Sequence, residues 1–297
     1  MLLGLWSAGP GSVSRLDFAG AGEVPWSPPR ATRGVTTRGR RLDERPWYTD
    51  FFDDDYLRIF LPMLLEERTA AEVNGVVERL GLAPGARLLD LCCGHGRHAV
   101  PLAQLGYRVT GLDRSRRLLD HAAVLAASHG QRVGLVAADM RRLPFADASF
   151  DAVINLFNAF GYLEDEAEDE LVLAEVARVL VPGGRFLQEL ANREAQVRDW
   201  HDSRVLRKDD ELIVLQERTL DLLGSRDLAR YTLIHPDGRR TSREVAIRLY
   251  TLTELAAMLD RAGLELLEVD GDLDGGPLEL DSSFVVTLSA RAGKGIS

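Results

Sequence analysis

The chain has few cysteines and no long hydrophobic run. Only two of its 297 residues are cysteine, and these two, Cys92 and Cys93, are neighbours. Adjacent cysteines cannot link distant segments, so a disulfide framework is excluded and a cytoplasmic location is expected. No second Cys or His pair stands at the spacing of zinc ligands, so no metal cofactor is expected. Because no stretch of about 18 apolar residues is present, a membrane span is not expected and the membrane is not an expected partner.

The chain also lacks a surplus of positive charge. It has 36 Lys and Arg residues against 46 Asp and Glu, which gives a formal net charge of −10. So acidic a protein would repel a polyphosphate backbone, and nucleic acid is therefore not expected as a partner. The choice between a monomer and a homodimer stays open.

Residues 1–42 differ in composition from the rest of the chain. They are rich in Gly, Pro, Ser, Thr and Arg, and they contain no sustained periodicity. This composition predicts a disordered or peripheral tail. The short apolar stretch in residues 1–12 has no basic residue ahead of it, so a secretory signal is not expected.

Residues 43–200 show short apolar strands that alternate with helices. Two helices are expected first, within residues 55–65 and 70–80, and Pro62 should interrupt the first of them. Strands are predicted at residues 87–92, 108–112, 133–137, 152–156 and 185–190. Strands and helices in this alternation predict right-handed βαβ units and a doubly wound, Rossmann-like, mostly parallel sheet.

The pattern changes after residue 200. Three strands, at residues 212–220, 229–234 and 244–250, follow one another without a helix, which predicts an antiparallel β-flap inserted over residues 201–250. Thr251 and Glu254 form a capping box that begins a helix over residues 252–262. Two final strands, 264–269 and 284–290, bring residues 251–297 back to the core, which then has seven strands.

A glycine-rich loop follows the first strand of the sheet. Asp90 lies near the end of that strand, and Gly94 and Gly96 come at the start of a helix, where glycine lets a ligand approach the backbone. By itself the pattern is ambiguous, because Gly94-x-Gly96-x-x-Ala99 also fits a turn that binds the pyrophosphate of a dinucleotide. An anionic Asp90 would sit badly beside a pyrophosphate. It suits a cationic ammonium group, such as that of S-adenosylmethionine (AdoMet).

Acidic residues also stand at the ends of the next two strands. Asp113 can accept hydrogen bonds from two ribose hydroxyl groups. Asp139 can accept a hydrogen bond from an adenine amino group while Met140 packs on the face of the ring. The fourth strand ends at Asn155, beneath the expected position of the methionine half of the cofactor.

Together these residues resemble the class I AdoMet-dependent methyltransferases over roughly residues 47–290. The matching residues are the glycine loop with Asp90, then Asp113, Asp139-Met140, Leu143-Pro144-Phe145, Phe150-Asp151 and Pro182-Gly183-Gly184. The last two strands resemble the C-terminal antiparallel hairpin of that fold, and the flap is similar to one that small-molecule N- and O-methyltransferases insert at the same place. This sequence departs from the family pattern at Cys92, where the first glycine of the loop is usual, and at His95, where Thr or Ser is common.

The resemblance implies transfer of a methyl group from AdoMet to an N or O atom of a small-molecule acceptor, with S-adenosylhomocysteine as the product. The cofactor-binding residues are expected to be Asp90, Cys92, Gly94, Gly96, Asp113, Arg114, Asp139, Met140, Asn155 and Phe157. The acceptor pocket is expected to include Phe52, Tyr56, Asn158, Tyr162, Glu189, Asn192 and Tyr250, with the flap as its lid. Packing is the alternative role for Phe52 and Tyr56.

The catalytic group is less clear from the sequence. Methyl transfer needs a base only if the nucleophile arrives protonated, and His95, Tyr162 and Glu189 are the candidates. Two other functions stay open at this point: an NAD(P)-dependent oxidoreductase, and a non-catalytic partner subunit that binds AdoMet.

A protein that begins near Arg41 is expected to keep the melting temperature and the AdoMet affinity of the full chain. Residues 1–42 lack the apolar periodicity that is needed to join a core. Calorimetric melting and a binding titration on both forms measure this. A large fall in melting temperature on truncation would contradict the prediction.

Overall fold

The computed structural model of the protein describes residues 46–208 and 211–293. The tail predicted at residues 1–42 lies outside the described residues. Within the described ranges, no helix is long and apolar enough to cross a membrane.

Three helices precede the sheet. They are α1 (Tyr48–Phe51), α2 (Asp54–Phe60) and α3 (Glu66–Leu80), with a 3₁₀ turn at Leu61–Met63. Asp53 caps α2, because its side chain accepts a hydrogen bond from the Tyr56 N–H (3.1 Å). Pro62 lies in the first turn of the 3₁₀ segment, where its missing N–H costs little. The proline therefore ends α2 as predicted.

The central sheet is built from alternating strands and helices, followed by a C-terminal hairpin. The first five strands are β1 (Arg87–Leu91), β2 (Arg108–Asp113), β3 (Gly134–Ala137), β4 (Phe150–Asn155) and β5 (Leu180–Ala191). The helices between them are α4 (Ala99–Gln104), α5 (Arg116–Ser128) and α6 (Glu166–Val179), and α7 (Arg193–Arg198) follows β5. After the flap come α8 (Leu252–Arg261), β10 (Leu264–Asp270) and β11 (Phe284–Arg291).

The strand order confirms the predicted fold. The seven strands lie in the order β3–β2–β1–β4–β5–β11–β10. Strands β1 to β5 pair in parallel, and β11 runs antiparallel to both of its neighbours. The order reverses between β1 and β4, so the loops that follow these strands diverge and leave a crevice at their carboxyl ends.

Helices cover both faces of this sheet. Leu88 of β1 packs with residues of α3 and α4 on one face, whereas Leu89 and Leu91 pack with residues of α6 and α8 on the other. All three leucines are fully buried. A strand that is apolar on both faces is typical of a parallel sheet between two helical layers.

The inserted flap is a separate antiparallel sheet. Its strands, in the order of the chain, are β6 (Ser203–Arg207), β7 (Ile213–Asp221), β8 (Arg226–Ile234) and β9 (Arg240–Arg248). The prediction of three strands was therefore wrong by one. Strand β6 has an arginine at its second and fifth positions and lies at the edge of the flap, half-exposed, so it carries no apolar run that a sequence pattern could detect.

The flap packs on the N-terminal helices. The buried side chains Tyr231 and Ile247 belong to one core cluster with Phe51 and Phe60 of α1 and α2. The ring of Tyr231 lies 5.8 Å from that of Phe51. The helices α1 and α2 therefore lie against the inner face of the flap.

The flap joins the main sheet at Gly161, in the loop after β4. The Arg248 N–H donates a hydrogen bond to the Gly161 carbonyl (2.7 Å). Gly161 has φ +81°, and a Cβ at this position would overlap the Arg248 carbonyl oxygen. Only glycine allows the two backbones to approach so closely.

Gly161→Ala is expected to destabilise the protein by about 3 kcal/mol, because the strain of a left-handed alanine and a backbone overlap add together. Gly263→Ala is the matched control, since Gly263 has φ +74° and open space around a Cβ. The control substitution should lower the free energy of unfolding by only about 1 kcal/mol, because it adds the backbone strain alone. Chemical denaturation of both variants measures the difference. Equal losses would show that the close approach at Gly161 does not matter for stability.

Candidate functional site

One cavity lies at the carboxyl ends of β1 to β4. It holds about 730 Å³ of empty space, part of it open to solvent, which is within the range of small-molecule sites. Its wall comes mainly from α1 and α2, from the loop after β1, and from the residues that follow β2, β3 and β4. The cavity therefore occupies the crevice that the reversal of strand order creates.

Many of the predicted site residues line this cavity. They are Phe52, Tyr56, Cys92, Gly94, Asp113, Arg114, Asp139, Met140, Phe157 and Tyr162. The other predicted residues are not part of its wall: Asp90, His95, Gly96, Asn155, Asn158, Glu189, Asn192 and Tyr250.

Sequence reasoning missed one aromatic and six apolar residues of the wall. They are Tyr48, Leu112, Leu118, Ala138, Leu156, Ala159 and Leu163. Tyr48 stands four residues before Phe52, which stands four before Tyr56, and this spacing was the signal that could have found it. The apolar residues carry no chemistry that distinguishes them from the core.

Asp113, at the end of β2, holds the glycine loop in place. Its carboxylate accepts hydrogen bonds from the Gly94 N–H (2.9 Å) and the Ser115 N–H (2.8 Å). Burial raises the pKa of Asp113, and the hydrogen bonds from Ser115 and Gly94 oppose that shift. Each carboxylate oxygen has a second lone pair, so Asp113 can still accept hydrogen bonds from a ligand.

The two loop glycines have different tasks. Gly94 has φ +54° and lines the cavity. Gly96 has φ +83°, and a Cβ there would lie 3.0 Å from the Ala122 Cβ on α5. Gly96 therefore lets the loop before α4 pack against α5.

Cys92 adopts the backbone conformation of the glycine that it replaces. Its φ is +63°, in the region that favours glycine, and its Sγ lies 3.6 Å from the Met140 Sδ. Cys93 is buried against Gly111 of β2. Burial raises the pKa of both thiols well above the usual value, so both stay protonated and pack as small apolar groups.

Asp139 lines the cavity beside two arginines. Its carboxylate accepts hydrogen bonds from Arg141 (2.7 Å and 2.9 Å) and from Arg114 (3.2 Å). The Arg141 hydrogen bonds lower the pKa of Asp139, although burial opposes them. Asp139 is therefore an anion near neutral pH, held at the edge of the cavity.

Two buried side chains of opposite charge lack part of their hydrogen bonding. Asp90 is 2% exposed and Arg97 is 8% exposed. Among the described residues, neither Asp90 Oδ2 nor Arg97 Nη2 has a partner. Burial raises the pKa of Asp90 to about 7, and the charge of Arg97 opposes that shift. Such groups cost free energy unless a ligand supplies the missing partners.

Behind Arg97 lies a buried cluster around Glu72. The Glu72 carboxylate accepts hydrogen bonds from Arg68, Arg97 and His98. Burial and the charge of Arg97 lower the pKa of His98 to about 4, so His98 is neutral near pH 7. Although burial opposes it, the contacts with His98 and Arg97 lower the pKa of Glu72, which therefore stays ionised.

His95 is half-buried and lies away from the cavity wall. Burial, assisted by the charge of Arg97, lowers its pKa to about 4. A histidine of this pKa is neutral near pH 7 and is a weak base. Across the described ranges, no group of three or more His, Cys, Asp or Glu side chains is arranged to hold a metal ion.

The loop after β4 is held in a strained conformation. Phe157 and Asn158 both have positive φ, 66° and 56°. The Glu189 carboxylate accepts a hydrogen bond from the Phe157 N–H (2.8 Å), and the Asn158 Oδ1 accepts one from the Ala191 N–H (2.9 Å). Burial, followed by the charge of Glu72, raises the pKa of Glu189. Glu189 and Asn158 thus position the loop whose Phe157 lines the cavity.

Three further predicted residues satisfy backbone or core groups. Asn155 donates a hydrogen bond from its Nδ2 to the carbonyl at the end of β1 (3.0 Å). Asn192 caps α7 by accepting a hydrogen bond from the Glu194 N–H. The Tyr250 hydroxyl donates to Asp169 (2.7 Å) in the core beneath α6. Neither Asn192 nor Tyr250 lines the cavity.

One end of the cavity is aromatic. The ring of Phe52 lies 5.7 Å from that of Tyr162, nearly parallel to it, and 5.1 Å from that of Tyr56. Burial raises the pKa of both tyrosines, so their phenols are neutral. Within the described part of the chain, neither hydroxyl forms a hydrogen bond, and both are therefore free to bind a ligand.

Comparison with known proteins identifies the fold's family. A model described as "Methyltransferase domain" matches residues 88–184. The chain is 33% identical to the cypemycin N-terminal methyltransferase of a Streptomyces species over 245 residues, which cover 76% of this chain and 97% of that protein.

Solved structures of methyltransferases are also similar. CcbJ from Streptomyces caelestis matches with a TM-score of 0.68 and 25% identity, over 75% of this chain and 90% of that one. CalS10, an amino pentose methyltransferase from Micromonospora echinaspora solved with its cofactor bound, matches with a TM-score of 0.57 and 25% identity, over 76% and 91%. With the strand order and the cavity at the carboxyl ends of the strands, these matches show that the chain belongs to the class I S-adenosylmethionine-dependent methyltransferases.

Proposed function

We propose that the protein methylates an amine nitrogen of a small molecule, with AdoMet as the methyl donor. The observation that carries the choice of an amine is the aromatic end of the cavity, where the neutral hydroxyls of Tyr56 and Tyr162 have no partner among the described residues. The cofactor supplies a methyl group that is already activated by a positively charged sulfur.

The residues around the cavity fit AdoMet. The Asp113 carboxylate is fixed at the wall and can accept hydrogen bonds from the ribose hydroxyls. Asp139 and Met140 stand after β3, where they can contact the adenine. Asp90 has a buried carboxylate oxygen without a partner, which an ammonium group would satisfy. The amino acid, ribose and adenine parts of the cofactor thus each meet a suitable group.

The aromatic end fits an amine in two ways. Aromatic rings attract cationic groups, which include a protonated amine and the sulfonium beside it. A neutral phenol oxygen can accept a hydrogen bond from an amine N–H, which turns the nitrogen lone pair toward the methyl group. Tyr56 and Tyr162 therefore orient the acceptor, and they need not remove its proton.

The reaction itself demands alignment more than acid–base chemistry. The amine lone pair forms a bond to the methyl carbon while the carbon–sulfur bond breaks and its electrons go to sulfur. Holding the two reactants in line and excluding water contributes several kcal/mol, on the order of 7 or more in favourable cases. A neutral amine is already a nucleophile, so its proton can leave to solvent after the transfer.

One of the similar proteins is named for methylation of an N-terminus, and another for a substrate that carries an amino group. The cypemycin enzyme is named as an N-terminal methyltransferase, and CalS10 is named as an amino pentose methyltransferase. Neither the family match nor these relatives favour an oxidoreductase or a non-catalytic partner subunit.

Asp113→Ala is expected to weaken the binding of S-adenosylhomocysteine by about 2 kcal/mol, because two ribose hydrogen bonds to a carboxylate are lost. Asp120→Ala, on the exposed face of α5, is the control and should bind normally. Titration calorimetry on both variants checks this, with NADH as a ligand that should not bind. Wild-type affinity in Asp113→Ala, or tight NADH binding, would refute the cofactor arrangement.

Tyr162→Phe is expected to lower the turnover of an amine acceptor about tenfold or more and to leave the affinity for S-adenosylhomocysteine unchanged, since the hydroxyl orients only the acceptor. Tyr107→Phe is the control. It also removes a phenol, but that phenol donates to the Leu82 carbonyl (2.8 Å) in the core, so turnover should survive.

Transfer to a panel of amines and to the matching alcohols, with labelled AdoMet, measures both parts of the proposal. Because the pKa of Tyr162 is raised well above its usual value, the rate should rise with pH only as the acceptor amine loses its proton. Faster transfer to the alcohols than to the amines would overturn the choice of an amine.

A further inference from the structure

Arg97 is a buried cation that the protein satisfies only in part. It is 8% exposed, and its Nη1 donates hydrogen bonds to the Thr69 hydroxyl (3.1 Å) and to the Glu72 carboxylate. Its Nη2 has no partner among the described residues. A buried guanidinium nitrogen without an acceptor is costly, so an oxygen from a ligand would stabilise it.

The Glu72 carboxylate is shared between two guanidinium groups. Glu72 forms ion pairs with Arg68 and Arg97, and His98 is neutral near pH 7 because burial lowers its pKa to about 4. The charge of Arg97 also favours the ionised forms of Asp90 and Glu189. Its Nη2 nonetheless has no acceptor among the described residues, and a charged oxygen binds a guanidinium more strongly than a neutral one.

Arg97 packs against a side chain of the cavity wall, although it is not itself part of that wall. Its guanidinium carbon is 4.6 Å from the centre of the Phe157 ring, and Phe157 lines the cavity. Its charge also acts on Asp90, yet no ion pair or hydrogen bond between Asp90 and Arg97 is found in the described residues. An unsatisfied anion and an unsatisfied cation that are close but not paired fit a ligand that carries both charges.

We propose that Arg97 Nη2 binds the carboxylate of the methionine part of AdoMet, while Glu72 and Thr69 position Arg97. An amino acid end has one ammonium and one carboxylate, and Asp90 Oδ2 and Arg97 Nη2 are the two unsatisfied groups of matching sign. The inference rests on the family's cofactor and not on the amine acceptor.

The test compares two ligands on the same protein by titration calorimetry. They are S-adenosylhomocysteine and its decarboxylated analogue, S-adenosyl-3-thiopropylamine, which keeps the ammonium but lacks the carboxylate. The wild type should bind the first about ten- to hundredfold more tightly, the usual effect of a charge-assisted hydrogen bond. In Arg97→Gln this ratio should fall to near one, with the affinity for the analogue little changed.

Arg68→Gln is the matched control. Arg68 also donates to Glu72 (2.9 Å), so its loss disturbs the same cluster without removing Arg97, and the wild-type ratio should persist. A ratio does not depend on how much of a variant is folded. If Arg97→Gln does not fold, Arg97→Lys keeps a cation beside Glu72 but loses Nη2, and it should also lower the ratio.

One result would overturn the proposal, namely a wild-type affinity ratio in the Arg97 variants. If both ligands were then weakened equally, Arg97 would only support the loop. No acceptor is present in these titrations, so a failure of the amine proposal would leave the ratio intact and would be seen only in turnover.

Discussion

The site depends on carboxylates that the sheet holds away from water. Asp90 and Asp113 lie on adjacent parallel strands, and burial raises the pKa of both. Asp90 forms no ion pair within the described residues although the charge of Arg97 acts on it, and Asp113 accepts a hydrogen bond from the backbone N–H of Gly94 in the glycine loop. A ligand that carries a cationic group and hydroxyl groups would supply partners to these carboxylates. The proposed binding of AdoMet rests on this constraint.

The sequence was sufficient to predict the sheet, the glycine loop and the strand-end acids. The reason is that apolar strands, turn glycines and acids at fixed places along a βαβ repeat report directly on geometry. The same reasoning could not separate a ligand contact from a local hydrogen bond. Asn192 is a helix cap, and Tyr250 donates to Asp169 in the core. A polar residue at a strand end suits either role, and only the three-dimensional partners decide between them.

Arg97 shows that a sequence pattern can also fail to indicate a buried polar residue near the cavity. Its position after the glycine loop gave no signal, because an arginine in the first turn before a helix is usually a surface residue. It is buried and donates a hydrogen bond to Glu72, which lies on α3, ahead of the whole sheet in the sequence. The packing of the flap on the N-terminal helices was not predicted for the same reason, because it joins residues that lie far apart in the sequence. The flap was predicted as a lid, and among the described residues none of its side chains lines the cavity. It packs on α1 and α2, and Phe52 and Tyr56 lie against the same core cluster, so its role as a lid stays a prediction.

The helices α1 and α2 lie between the cavity and the flap. This arrangement also affects the order in which parts of the protein can fold during synthesis. The aromatic residues of α1 and α2 are made early, yet strands β7 to β9, which bury them, leave the ribosome much later. Contacts of such long range form slowly, because a large loop must first close. The part of the cavity at the strand ends draws on β1 to β4, whereas the aromatic end is complete only after β9 is made. An emerging chain thus has the strand-end residues of the cavity before its aromatic end is finished.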